Sequence, residues 1–77
     1  MKDETSMRKV SLTAKECEIL LAAGKGFTSQ EAADILNISA ETVKSHKKSL
    51  IRKLGAVNIV NAVAIACELG IWQRLYN

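Results

Sequence analysis

Helix starts and stops recur along this chain at short intervals, and they leave little room for anything but a helical domain. Thr13-Ala14-Lys15-Glu16 and Thr28-Ser29-Gln30-Glu31 both have the form of a capping box. In that motif the threonine hydroxyl accepts from a free N–H of the first turn and the glutamate reaches back to the N-cap amide. Ser39 and Asn58 are two further N-cap types. Gly24-Lys25-Gly26, Gly55 and Gly70 provide stops. The chain has no proline and few aromatic residues, and its 48% hydrophobic share over 77 residues allows one modest core. The expected fold class is all-α, with four helices in residues 12–77 behind a flexible, mixed-charge arm over residues 1–11.

Apolar spacing assigns a buried side to each helix. In the first, Ile19, Leu20 and Ala23 repeat at helical intervals; in the second, Ala32, Ile35 and Leu36 do so, and Ala33 allows close backbone approach. Phe27, one residue before its cap, is placed to staple onto Ala32. Asn37-Ile38-Ser39 is then a brief connection whose Ile38 is expected between two helices. A short helix, a brief turn and a long basic helix is the order of a helix-turn-helix.

The third helix, about 39–54, is anchored along a thin line. Val43, Leu50 and Leu54 fall within roughly 40° of one another at 100° per residue. With Lys44 at zero, Lys48 lies near 40°, Arg52 near 80°, Ser45 near 100° and Ser49 near 140°, so the free face holds cations and hydroxyls. Residues 1–37 carry five basic and six acidic side chains (net −1), residues 38–57 five and one (net +4), and residues 58–77 one and one (net 0). The whole +3 excess of the chain therefore comes from the segment holding this helix. Such a face is the footprint of a duplex-DNA reader, and equally suits a solvated basic surface.

The fourth helix, Ile59 to Leu69, is apolar on nearly every side: only Asn61 and Glu68 are polar, and they share one edge of the wheel. One stripe (Ile59, Ala62, Ala66, Leu69) is expected to face the core. A second stripe, Val60, Val63, Ala64 and Cys67, has the spacing of a helix-pairing seam and implies a two-fold homodimer. The alternative is that Ile71-Trp72-Gln73-Arg74-Leu75-Tyr76 folds back to cover it. Trp72 and Tyr76 are read as packing residues rather than base-stacking ones.

Several classes are disfavoured. No apolar run reaches the ~20 residues of a membrane span, and Met1-Lys2-Asp3-Glu4-Thr5-Ser6 lacks the apolar stretch of a signal peptide. Cys17 and Cys67 are read as two buried, reduced thiols. His46, the single histidine, is read as a packed, hydrogen-bonded residue that can still donate to a phosphate, and Glu16, Glu18 and Glu31 as capping and surface groups. With no metal-ligand spacing and no nucleophile–base set, no enzyme, cofactor or metal is expected.

From Leu12 to about Ile71 the chain resembles the LuxR/FixJ/GerE-type DNA-binding domain. The resemblance rests on Leu12-Thr13-x-Lys15-Glu16-x-Glu18-Ile19-Leu20 and on Gly26-x-Thr28-Ser29-x-Glu31-x-Ala33. It continues through Leu36-x-Ile38-Ser39-x-x-Thr42-Val43-Lys44-x-His46, Lys53-Leu54-Gly55, Asn58 and Ala62-Val63. It implies a bacterial transcription regulator whose third helix enters the major groove and whose fourth helix pairs across a dimer axis. The residues matching groove-facing positions are Lys44, Ser45 and Lys48; whether the two lysines touch bases or phosphates stays open. Those matching or beside phosphate-holding positions are Thr28, Ser29, Gln30, Thr42, Lys47, Arg52 and Lys53. Ser49, Ala32 and Ile59 depart from the family's usual Asn, larger aliphatic and basic residue, and Ile59 removes one phosphate contact.

The expected partner is double-stranded DNA, bound by a cytoplasmic, nucleoid-associated homodimer, with RNA polymerase or a related regulator as further protein partners. The chain reads as a stand-alone, GerE-like regulator or as the excised C-terminal domain of a longer one. A rival of another class is an interaction protein that pairs with a full-length regulator through its fourth helix and modulates it.

Overall fold

The computed structural model describes residues 11–70, and within them four helices follow one another: α1 (Ala14–Gly24), α2 (Ser29–Leu36), α3 (Ala40–Leu54) and α4 (Ile59–Glu68). The arm over residues 1–10 and the tail over residues 71–77, including the proposed fold-back, lie outside the described residues. No strand occurs among the described residues. The fold is the all-α helix-turn-helix arrangement anticipated above.

The caps explain the boundaries. Glu16 N–H donates to Thr13 Oγ1 (3.1 Å) while Thr13 N–H donates to Glu16 Oε1 (2.9 Å), so both halves of the first box form. The second repeats this between Thr28 and Glu31 at 3.1 and 2.8 Å. Ser39 Oγ accepts from Thr42 N–H (3.0 Å), and Asn58 Oδ1 from Asn61 N–H (2.8 Å). Each such cap contributes about 1 kcal/mol. Two helices end in the left-handed region, α2 at Asn37 (φ 59°) and α3 at Gly55 (φ 67°). In both cases the next amide, Ile38 N–H or Ala56 N–H, returns to a carbonyl inside the helix at 3.0 Å. Asn37 was expected only as a connector; its short polar side chain tolerates the conformation that Gly55 adopts freely.

The core is a single cluster of Ile19, Leu20, Ala22, Ala32, Ala33, Val43, Leu50, Leu54, Ala62 and Ala66. Ile19, Leu20, Val43 and Leu50 are its largest fully buried members, each worth about 1.5–3 kcal/mol of transfer free energy. Ala32 and Ala33 of α2, and Ala62 and Ala66 of α4, let each of those helices lie close against α1 and α3. Both α1 and α3 pack against all the other helices, whereas α2 and α4 hardly meet.

Four expectations are corrected. Ala22 rather than Ala23 is the buried alanine of α1. Ile35 is 60% exposed, because Ala32 and Ala33 turn inward and swing it out. Glu16 is buried, not a surface residue. Cys67 is exposed and Cys17 only half-buried, so the two-buried-thiol reading fails at Cys67.

Candidate nucleic-acid interface

The face of α3 opposite its seam is open. Lys44, Ser45, Lys48 and Arg52 are all exposed there. Among the described residues, Lys44, Lys48 and Arg52 have no ion pair or hydrogen bond within the fold. Three cations with no internal partner on one helix face form a positive field that an anion can share without breaking any native contact. Arg52 and Lys53 also sit in the last turn, and Glu41 in the first, as the helix dipole favours.

On one flank of this face stands the N-terminus of α2. Lys47 Nζ donates to Ser29 Oγ at 2.7 Å, across the turn of the helix-turn-helix. The contact brings an ammonium beside a helix start whose free N–H groups and dipole favour an anion. Thr28, Ser29, Gln30 and Lys47, expected together on sequence grounds, are thus gathered at one edge; Gln30 Nε2 additionally donates to Asp34 Oδ1 (3.2 Å).

On the other flank the start of α1 and the side of α3 border an open cleft of about 700 Å³, lined by Thr13, Glu16, Glu41, Thr42, Ser45, His46, Ser49 and Lys53. Thr42, whose Oγ1 is 2.8 Å from Ser39 Oγ, is half-buried at its edge. His46 is half-buried in its wall. Lys53 has a different setting from the other cations. Its Nζ donates to the buried Glu16 Oε1 at 2.9 Å, tying α3 to α1. Burial by itself would raise the Glu16 carboxyl, but hydrogen bonds from Lys53, the Thr13 amide and Ser49, with the Lys53 charge, outweigh it and hold the group at about 2.

The seam residues of α4 separate into two groups. Val60 (75% exposed), Ala64 and Cys67 face outward, while Val63 is half-buried and packs against the core. Val57, 83% exposed, precedes the cap Asn58 and lies outside the helix.

A helix-turn-helix with an unpaired cationic face on its second helix and an anion-favouring start on its first defines a class of nucleic-acid-binding module. Residues 10–66 match GerE, described as bacterial regulatory proteins of the luxR family. The chain belongs to this luxR family of bacterial regulatory proteins, a regulatory and not an enzymatic family. Among its relatives is the HTH-type transcriptional activator RamA of Corynebacterium glutamicum, 44% identical over 59 residues, or 77% of this chain and 21% of that protein. The HTH-type quorum sensing-dependent transcriptional regulator RpaR of Rhodopseudomonas palustris is 46% identical over 65 residues, or 84% and 27%. The transcriptional activator protein SolR of Ralstonia nicotianae is 43% identical over 61 residues, or 79% and 26%. The chain thus spans about a quarter of the length of these curated relatives. No single helix among the described residues is long and apolar enough to cross a membrane.

Proposed function

We propose that this chain is a sequence-specific duplex-DNA-binding regulator of transcription that acts as a two-fold dimer in the bacterial cytoplasm. The observation that carries the reading is the open face of α3, where Lys44, Lys48 and Arg52 have no partner within the fold. In this reading α3 lies in the major groove. Lys44, Ser45 and Lys48 face base edges, while Thr42 and Arg52, with Thr28, Ser29, Gln30 and Lys47 at the start of α2, hold phosphates. Lys53, committed to Glu16, fixes the set of α3 instead. The outward residues Val60, Ala64 and Cys67, with the half-buried Val63 beside them, pair with their counterparts on a second copy, placing two α3 helices about one helical turn of DNA apart. Relatives named as activators support a further contact with RNA polymerase.

Binding-site selection from a random duplex pool, followed by titration at several salt concentrations, tests this reading. A two-fold symmetric motif is expected. If the dimer neutralises about eight phosphates, log K falls against log salt with a slope of roughly −7. A slope near zero, or no motif from folded protein, sinks it. The same exposed stripe on α4 also supports the second reading, in which the chain pairs with a full-length regulator and modulates it. That reading gains if the isolated chain stays monomeric and binds DNA only when such a regulator is added.

A further inference from the structure

Glu41 is the single acid of α3, on a helix whose free face is otherwise cations and hydroxyls. It is exposed in the first turn, where it also borders the open cleft between α1 and α3. By helix pitch it projects at about 60° on the scale that puts Lys44 at zero, between Lys48 and Arg52 and nearly opposite the buried seam. Lys44 and Lys48 follow it at i+3 and i+7, yet among the described residues Glu41 has no ion pair or hydrogen bond. The start of α3 is already capped by Ser39, so Glu41 adds only a modest dipole interaction there.

The outward-facing first turn is the end of a recognition helix that meets base edges. A carboxylate there is repelled by phosphates and by the acceptors of guanine and thymine. Among major-groove edges, cytosine offers an amino donor without a neighbouring acceptor on the same base; adenine places N7 beside its amino group. The carboxylate therefore weakens binding to arbitrary duplex and regains the loss only where an amino group meets it.

Resting on the DNA reading above, we propose that Glu41 is a specificity-determining residue that accepts a hydrogen bond from the 4-amino group of a cytosine at one position in each half-site. Parallel site selection with the wild-type chain, Glu41→Gln and Glu41→Ala tests this. The wild type should recover cytosine at that position. Glu41→Ala should leave the rest of the motif intact and that position unspecified. Glu41→Gln should exchange cytosine for adenine, whose N6 and N7 match a carboxamide, an outcome that loss of a helix-stabilising charge does not produce. In titrations Glu41→Ala should bind random duplex more tightly, and its ratio of specific to random affinity should fall about tenfold. Motifs unchanged in both variants overturn this inference alone. A wild-type chain that selects no motif overturns the DNA reading and this inference with it.

Discussion

Lys53 Nζ and Glu16 Oε1 lie 2.9 Å apart, so the last turn of α3 is fastened to the first turn of α1 across 37 residues of sequence. The same carboxylate oxygen accepts from the Thr13 amide that opens α1. One buried side chain therefore completes a local cap and also sets how the cationic helix sits on the domain. Removing Lys53 leaves a carboxylate that is 3% exposed without its cation, a destabilising change.

Acid should loosen this tie. The Glu16 carboxyl is depressed from 4.5 to about 2 in the folded chain, so its contribution is fully present above pH ~4.5 and is lost as pH falls through about 2. The contribution is on the order of 3 kcal/mol. Glu16→Gln should therefore lower stability near neutrality and flatten its decline in acid. Urea unfolding of both proteins between pH 2 and pH 7 checks this; parallel curves would contradict it.

The cations should fall into two groups by their effect on binding. Lys48→Ala is expected to weaken specific binding more than random binding, whereas Arg52→Ala and Lys47→Met weaken both and each reduce the magnitude of the salt slope by about one. Lys53→Met should lower stability by about 1–2 kcal/mol, less than a fully buried pair because the Lys53 side chain is about a third exposed, and leave the slope unchanged. Slopes from fluorescence anisotropy at four salt concentrations separate these outcomes. Equal specific and random losses for Lys48→Ala and Arg52→Ala would place Lys48 among the phosphate contacts.

The two left-handed helix ends should respond with opposite signs. At Gly55 (φ 67°) an added Cβ meets nothing within 4 Å, so Gly55→Ala should cost about 1 kcal/mol through backbone strain alone. Asn37→Gly, at φ 59°, should be neutral or stabilise by up to about 1 kcal/mol. For a domain of this size 1 kcal/mol moves Tm by about 4–8 °C, readily seen by circular dichroism. A lowered Tm for Asn37→Gly would mean that the asparagine side chain contributes more there than relief of strain gains.

Self-association should depend on Val60 and not be testable cleanly at Val63. Val60 is 75% exposed, so Val60→Asp leaves the core untouched and should convert a dimer to a monomer in sedimentation analysis. Val63 packs on the core, and a charge there would disturb folding as well. An unchanged mass for Val60→Asp would remove α4 as the pairing surface.

The helix boundaries were legible because the interactions that set them are short-range. Every side-chain N-cap hydrogen bond joins residues three apart, and a Thr-x-x-Glu pattern states both partners in advance. The seam Val43, Leu50 and Leu54 was legible for a similar reason, since helical periodicity alone aligns it. So was the charge concentrated on α3, which needs only counting.

What the chain order by itself determined about this protein was where its helices begin and end and which of them bears the positive face. Only tertiary packing decided which residues of each apolar stripe are covered. Ala32 and Ala33 turn inward and leave Ile35 outside, and Val63 sinks while Val57 and Val60 stay in solvent. It also decided that Lys47 reaches Ser29 across 18 residues and that Lys53 reaches Glu16 across 37. A helix's own period fixes the direction of a side chain only relative to that helix. The angle and depth at which two helices cross are set by the volumes meeting between them, and that is where these partners are chosen.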